Sequence, residues 1–326
     1  MEPLLRPIEL PGLRIPGNIF LAPMAGYTDA AFRSLCLEQG ASFAFTEMMS
    51  AEGLARGSPK TLELARRAES EKLWGAQIFA AEPRSAAAAV RALESLAPSL
   101  YDLNCGCSVP KVLKSGAGAA LLRDPARIRD ILRAMRGETA APLSVKLRSG
   151  WDPGSLNYLE AAELAQEGGA ALACLHPRTR SQGFSGSADW SHIAELKRRS
   201  SLRVFGSGDL FSAEQAVALM SRTGCDGVMF ARGAIGNPFI FAQALALFHG
   251  LVAPPSPEPE VRLAAALEQL ARAAALHGES RACRQMRKHF CAYSRGIPGG
   301  AQLRSQAVRA ERLADYRRLV QEYLRR

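Results

Sequence analysis

No apolar run in the chain approaches the ~20 residues that a membrane-spanning helix needs, so no such helix is expected. The opening MEPLLRPIELPGLRIPGN lacks a basic start leading into a long apolar segment, which argues against a secretory signal and for a cytoplasmic protein. Cysteine is sparse and odd in number: seven residues scattered through 326 do not make a disulfide framework. Zinc needs further ligands at close spacing, and no second Cys or His pair accompanies Cys105-Gly106-Cys107; Cys283 and Cys291 stand alone in helix-like sequence. No metal is therefore expected. There is no low-complexity tail and no solenoid repeat, and nothing in the sequence indicates an obligate protein partner.

What is present is a 48% hydrophobic chain, a soluble globular composition with ample material for a core. Its net charge of +10 is unevenly placed. Residues 281 to 326 hold twelve Lys or Arg against three acids (Glu311, Asp315, Glu322), an excess of nine that leaves only one for everything before it. Such segregation suits a polyanion or an acidic membrane surface, with a solvated helix face as the plainer alternative.

Eight apolar runs alternate with helical patterns over the first ~245 residues: NIFLAPMAG, SFAFTEMMSA, KLWGAQIFA, LYDLNCGC, PLSVKLRSG, ALACLHPRT, RVFGSGDL and GVMFARGAIG. Between them TDAAFRSLCLEQG, PRSAAAAVRALESLA, LNYLEAAELAQEGG and SAEQAVALMSRTG repeat apolar residues at helical spacing. Strands alternating with helices make a parallel sheet, and eight such units predict an α/β fold of the closed (β/α)8 TIM barrel type. Prolines 254, 255, 257 and 259 then mark a boundary. The expected division is a barrel over 1–250, a Pro-rich linker over 251–259 and a small basic helical bundle over 260–326, broken at Gly296-Ile297-Pro298-Gly299-Gly300.

Barrel chemistry gathers at the carboxyl ends of the strands. The seventh and eighth runs end in Gly206-Ser207-Gly208-Asp209 and Ala231-Arg232-Gly233, a pairing of glycine amides with an arginine that suits a phosphate on either a substrate or a cofactor. Lys146 and Arg148 point the same way along the fifth strand. A lysine turned into the mouth would meet a flavin edge or a substrate oxyanion, or form a Schiff base once its pKa falls, whereas one at the rim is merely solvated. His176, with Arg178 and Arg180 beside it, is either a structural imidazole or part of an anion site. The two cysteines at 105 and 107 follow the fourth strand and read as a metal half-site, a disulfide, or one reactive thiol beside an inert one.

Taken together, LAPMAGYTDAAFR, FTEMMSA, GAQIFA with Gln77, LNCGCSVPKV, KSGAGAALLRDP, VKLRSGW, HPRTR, GSGDL, ARGAIGNPFIF and, past the linker, MRKHFCAYSRGIPGGAQLR resemble the flavin-dependent tRNA-dihydrouridine synthases. The resemblance implies FMN as cofactor, NADPH as reductant and tRNA as substrate. It places Pro23, Met24 and Ala25 against FMN, Gln77 and Lys146 on its ring, His176 in support, and Ser207, Gly208, Asp209, Ala231 and Arg232 on its phosphate. It sets Asn104, Arg148 and Arg178 around the target uracil, and Cys107 as the proton donor of an Asn-x-Gly-Cys-Pro motif, with Cys105 at the variable position. The chain departs from that pattern at Ser108, where proline is usual, and at Pro177 and Ala231, where glycine is usual.

Three other readings share parts of this pattern. A flavin barrel acting on a small molecule, of the dihydroorotate dehydrogenase kind, would use the same phosphate loops and Lys146 but has no need of a basic tail. A flavin-free phosphate-binding lyase or isomerase would use Lys146 alone, and a noncatalytic RNA-binding barrel would not need Cys107.

Overall fold

The computed structural model describes residues 4–325; the first three residues of the expected 1–250 barrel and Arg326 of the expected 260–326 bundle lie outside the described residues. Each predicted apolar run forms a strand: β1 (Ile19–Leu21), β2 in two pieces (Phe43–Ala44 and Met49–Ser50), β3 (Gly75–Phe79), β4 (Leu100–Cys105), β5 (Leu143–Arg148), β6 (Ala170–His176), β7 (Arg203–Gly206) and β8 (Gly227–Phe230). Neighbours pair in parallel in chain order, and β8 returns to β1 through Val228 opposite Ile19. Between the two pieces of β2 the Thr46 hydroxyl accepts the amide of Gln77 at 3.2 Å and Phe45 bridges Gly75, so the ring stays closed across the break. The eight-stranded barrel is thus complete, as the alternation of strands and helices predicts.

Its lower interior is a plug of phenyl rings. Phe20 stacks on Phe205 at 4.3 Å between centroids, and Phe43 meets Phe45 edge-on at 5.1 Å. Two glycines make the room: a Cβ on Gly75 would lie 2.4 Å from the Phe45 ring, and one on Gly227 would lie 2.4 Å from that of Phe205. A hairpin of Ile8–Leu10 and Leu13–Ile15, turned at Pro11-Gly12, adds Ile8, Leu10 and Ile15 to this plug and seals the bottom. That hairpin is not among the predicted elements, although ELPGLR carries its turn signal. The second hydrophobic layer lies between the sheet and the surrounding helices, where Val145 and Val228 sit fully buried.

After the barrel, residues 252–258 carry no regular structure, and four helices follow: Pro259–His277, Glu279–Tyr293, Gly300–Ala307 and Leu313–Leu324. Of these, Pro259–His277 packs along the first barrel helix, Ala30–Glu38, whose Ala31 belongs to the hydrophobic core of the tail. Charged contacts fix the docking. Arg272 grips Glu38 with two nitrogens at 2.6 and 2.9 Å, Arg281 gives 2.8 Å contacts to both oxygens of Glu63, and His277 bridges Glu63 and Asp29. Among the described residues, no helix is long and apolar enough to cross a membrane.

One ion pair organises the loop after β2. Arg33 and Glu71 are both fully buried; Nε and Nη2 of Arg33 meet the carboxylate at 2.6 and 2.9 Å, and the guanidinium also donates to the carbonyls of Thr28 and Arg66. Removing one partner strands the other charge without water. Glu71→Ala should therefore destabilise the fold by about 3–5 kcal/mol in denaturant unfolding, whereas Arg33→Met combined with Glu71→Leu should cost less than the two single changes summed. Single losses below about 1 kcal/mol would contradict a structural role for the pair.

Candidate active site

A cavity of about 460 Å3 opens at the carboxyl end of the strands. Its wall brings together Pro23, Met24, Ala25, Gln77, Asn104, Cys107, Lys146, Arg148, His176, Ser207, Gly208, Asp209, Ala231 and Arg232. The topology explains the assembly. Register sets Asn104 opposite Lys146 and Arg148 opposite His176, and alternation along each strand then turns all four inward.

Beneath the cavity lies a polar layer. Asp102 has no appreciable exposure; its carboxylate accepts from Ser144 Oγ at 2.5 Å and from Gln77 Nε2 at 2.7 Å. Burial pushes its pKa up, against these two hydrogen bonds and the positive charge of Lys146, to about 6. Gln77 Oε1 then accepts from Asn104 Nδ2 at 2.9 Å, and Asn104 Oδ1 accepts the amides of Gly106 and Cys107 at 3.2 and 2.9 Å. A side chain of the floor thereby shapes the turn that carries Cys107.

The two cysteines differ completely in setting. Cys105 closes β4 with no exposed surface and packs in the hydrophobic layer, while Cys107 is partly exposed and lines the cavity. Burial raises the Cys107 thiol above its ordinary value, against a backbone hydrogen bond and the nearby Arg148 guanidinium, so it remains protonated at neutral pH. Among the described residues all seven cysteines are free, and no group of three or more His, Cys, Asp or Glu could hold a metal ion.

Cations surround the thiol in unequal states of engagement. Lys146 makes no hydrogen bond or ion pair among the described residues and faces the cavity. Arg148 donates through Nε to the Gly106 carbonyl at 2.8 Å and through Nη1 to those of Thr179 and Gly183 at 2.9 and 2.8 Å, leaving Nη2 without a partner of this kind among the described residues. Burial, helped by Arg178 and Arg232, lowers its pKa to about 10. His176 is held neutral: burial first, then Lys146 and the three arginines, depress it to about 2. Its Nε2 lies 3.3 Å from Arg178 Nη1 and must accept there, which leaves the proton of the neutral ring on Nδ1.

Arg178 is expected beside the substrate, but the structure does not bring it to the cavity wall. It is 2% exposed, and all five of its N–H groups are occupied: two on Asp209 at 2.7 and 2.8 Å, one on His176, and two on the carbonyls of Ser185 and Gly186. The side chain is a post that fixes the 180s loop and Asp209. Arg180 likewise turns away, stacking on Trp151 at 4.5 Å. Phe184, which is not among the residues predicted from the sequence, lines the cavity from that loop, stacked near His176 and against the Arg232 guanidinium at 4.2 Å. A lone exposed phenylalanine between Gly183 and Gly186 carries no periodic signal.

The corner between β7 and β8 has the features of a cradle. Asp209 adopts a left-handed backbone (φ 55°) and also accepts the Ala188 amide at 2.8 Å; its carboxyl, despite burial, is held below the ordinary range by Arg178. Ser207 Oγ donates to the Met229 carbonyl at 2.9 Å. Gly233 is packed so closely that a Cβ would lie 2.1 Å from the Leu210 carbonyl oxygen. Arg232 stands between Phe184 and Phe211, partly exposed, its guanidinium 3.5 Å from Asp209. Ala231, at the position where glycine is usual, has φ −122° and ψ −104°, a φ outside the left-handed region.

The family model described as Dihydrouridine synthase matches residues 20–326. A probable tRNA-dihydrouridine synthase of Treponema pallidum is 42% identical over 98% of this chain and 96% of its own, and the tRNA-dihydrouridine synthase B of Pseudomonas aeruginosa is 36% identical over 91% and 90%. Among solved structures, morphinone reductase in complex with tetrahydroNAD superposes with a TM-score of 0.54 at 12% identity, over 80% of this chain and 94% of that one. A 2-naphthoyl-CoA reductase gives 0.60 at 12% identity, over 74% of this chain and about half, 52%, of that protein. These distant structures share the barrel alone. The chain belongs to the dihydrouridine synthase family.

Proposed function

We propose that this oxidoreductase reduces the C5–C6 double bond of particular uridines in tRNA, with FMN in the barrel mouth, NADPH as reductant and Cys107 as the proton donor, in the cytoplasm. The observation that carries the reading is one cavity wall holding both a protonated, partly buried thiol and an unpartnered lysine, Cys107 and Lys146. FMN fits the residues present: Lys146 feels the charge of the buried Asp102 but makes no hydrogen bond or ion pair among the described residues, and the β7–β8 corner offers the backbone amides of Gly208 and Asp209 and the Arg232 guanidinium to a phosphate, beside a glycine that admits no Cβ. Gln77 and Lys146 would hold its ring edge with neutral His176 in support, Pro23, Met24 and Ala25 would lie against its face, and Ser207 and Ala231 would complete the phosphate corner. When bound, that cofactor supplies the hydride for C6 of the uracil.

The remaining work falls to the chain. Cys107 delivers a proton to C5, and a thiol whose pKa is raised by burial carries that proton throughout the neutral range. Asn104, whose Nδ2 donates to Gln77 and also meets Met48 Sδ at 3.8 Å, and Arg148, through its free Nη2, line the cavity and would orient the uracil. A uridine in folded RNA must be turned out of its stack at a cost of a few kcal/mol, which phosphate contacts must offset. Residues 260–326 would supply them as a tRNA-binding domain beyond a 251–259 linker and a 1–250 catalytic barrel. Not every basic residue there is available: Arg281 is bound to Glu63, and Arg304 donates to the Ser294 carbonyl at 2.8 Å. Lys288 is better placed, lying over the ring of Tyr27, itself part of the cavity wall, at 4.6 Å.

Cys107→Ala should lower the rate of dihydrouridine formation in tRNA by about 10²–10⁴-fold while the FMN content stays equal, read by mass spectrometry of digested tRNA; a rate near that of the unaltered enzyme would remove the thiol from the mechanism. Because burial raises the thiol, the single-turnover rate of tRNA reduction should be level from about pH 7 to 9 and fall only above that, as the proton is lost; a decline beginning near pH 7 would contradict the assignment. Affinity for tRNA should fall steeply between about 50 and 200 mM salt, with a shallower slope for Lys288→Ala in filter binding. A salt-independent affinity would remove the tail from recognition.

A further inference from the structure

Asp102 does not line the cavity, yet a continuous chain of hydrogen bonds, beginning at Gln77, joins it to the turn bearing Cys107. The direction of every link can be deduced from its far end. The amides of Gly106 and Cys107 can only donate, so Asn104 must present Oδ1 to them and Nδ2 to Gln77. Gln77 must then present Oε1 to Asn104 and Nε2 to position 102, which must offer an acceptor. A carboxylate is acceptor-only, and Ser144, across the β4–β5 ladder, takes up its other oxygen.

Two amide side chains are involved, and either could rotate by half a turn within nearly the same volume. Rotation of both would set the Asn104 NH2 against the amides of Gly106 and Cys107, donor against donor, and open the turn. Packing alone does not distinguish the two states, because oxygen and NH2 are almost equal in size. The distinction comes from the two ends, the donor amides of Gly106 and Cys107 at the turn and the acceptor-only carboxylate at the buried end.

We propose that Asp102 is a positioning residue that sets the polarity of the Gln77–Asn104 chain and so holds the Cys107 turn in its reactive shape. The inference rests on the reading of Cys107 as the proton donor, but the hydrogen-bond chain itself can be tested without it. The same polarity fixes what Gln77 offers the cavity, the remaining N–H of Nε2, a donor suited to carbonyl oxygens of a ring system, while the second N–H of Asn104 meets Met48 Sδ at 3.8 Å.

The test compares three FMN-loaded, full-length variants with the unaltered protein: Asp102→Leu, which removes the acceptor; Gln77→Glu, which sets carboxylate against carboxylate; and Asp102→Asn combined with Gln77→Glu. In the last, the new amide at position 102 donates to the new carboxylate at position 77, and that carboxylate accepts from Asn104. The acceptor has moved one link along, and the polarity at Asn104 is restored. Iodoacetamide labelling followed by peptide mass spectrometry reads Cys107 directly, with partly exposed Cys291 and buried Cys174 as internal references. Both single changes should speed Cys107 labelling about 10-fold with Cys291 unchanged, and the double change should return it to within about 3-fold of the original, as expected if turn geometry governs access. Asp102→Leu should also slow tRNA reduction by pre-reduced enzyme about 10- to 100-fold. Unchanged Cys107 labelling in the singles, or a double variant no closer to the original than Gln77→Glu, would overturn the proposal. If the singles unfold, shown by labelling of Cys174, the double variant decides: near-original labelling supports the chain and fast labelling refutes it. Should the unaltered protein fail to reduce tRNA, the functional reading falls while the labelling result still stands or falls by itself.

Discussion

A buried carboxylate must be given donors, and the floor of this barrel is arranged around that requirement. Asp102 is shut from solvent below the cavity, with Ser144 and Gln77 each supplying one hydrogen bond. From that point the geometry spreads upward: Gln77 orients Asn104, and Asn104 bends the chain so that Cys105 ends in the hydrophobic layer and Cys107 in the cavity. The same layer leaves Lys146 without a hydrogen bond or ion pair among the described residues though near enough to feel the Asp102 charge, and an ammonium so placed in a concave, partly apolar site can receive an anionic ligand.

The arginines divide into posts and contacts. Arg178 and Arg33 have their donors occupied by carboxylates and carbonyls and act on the backbone around them. Arg148 is intermediate, tied by two nitrogens to three carbonyls and open at the third. Arg232 leans on two phenyl rings and remains partly exposed, a posture that keeps a guanidinium oriented while leaving it accessible. The tail repeats the division, with Arg272 and Arg281 docking it on Glu38 and Glu63 and Lys288 set at the lip of the cavity.

Much of this is legible in the sequence for a definite reason. Eight apolar runs punctuated by glycine reflect the local rule that a parallel strand is buried on both faces, and the strand ends supply nearly every residue of the cavity wall. What escapes is what depends on partners distant in sequence. Nothing in HPRTR distinguishes an arginine that meets Asp209 and two carbonyls from one that meets a ligand, and nothing in LYDLNC marks Asp102 as the acceptor for a glutamine 25 positions earlier. The break in β2 at Thr46 and the N-terminal hairpin are hidden because each is shorter than the periodic patterns that reveal strands.

The chemistry assigned to Cys107 is uridine reduction in RNA, and a single measurement addresses it. Unmodified tRNA incubated with the FMN-loaded protein and NADPH should gain two mass units at a small set of uridines, found by nuclease mapping and mass spectrometry. Transcripts that stay unchanged while the same preparation reduces a free pyrimidine would contradict it.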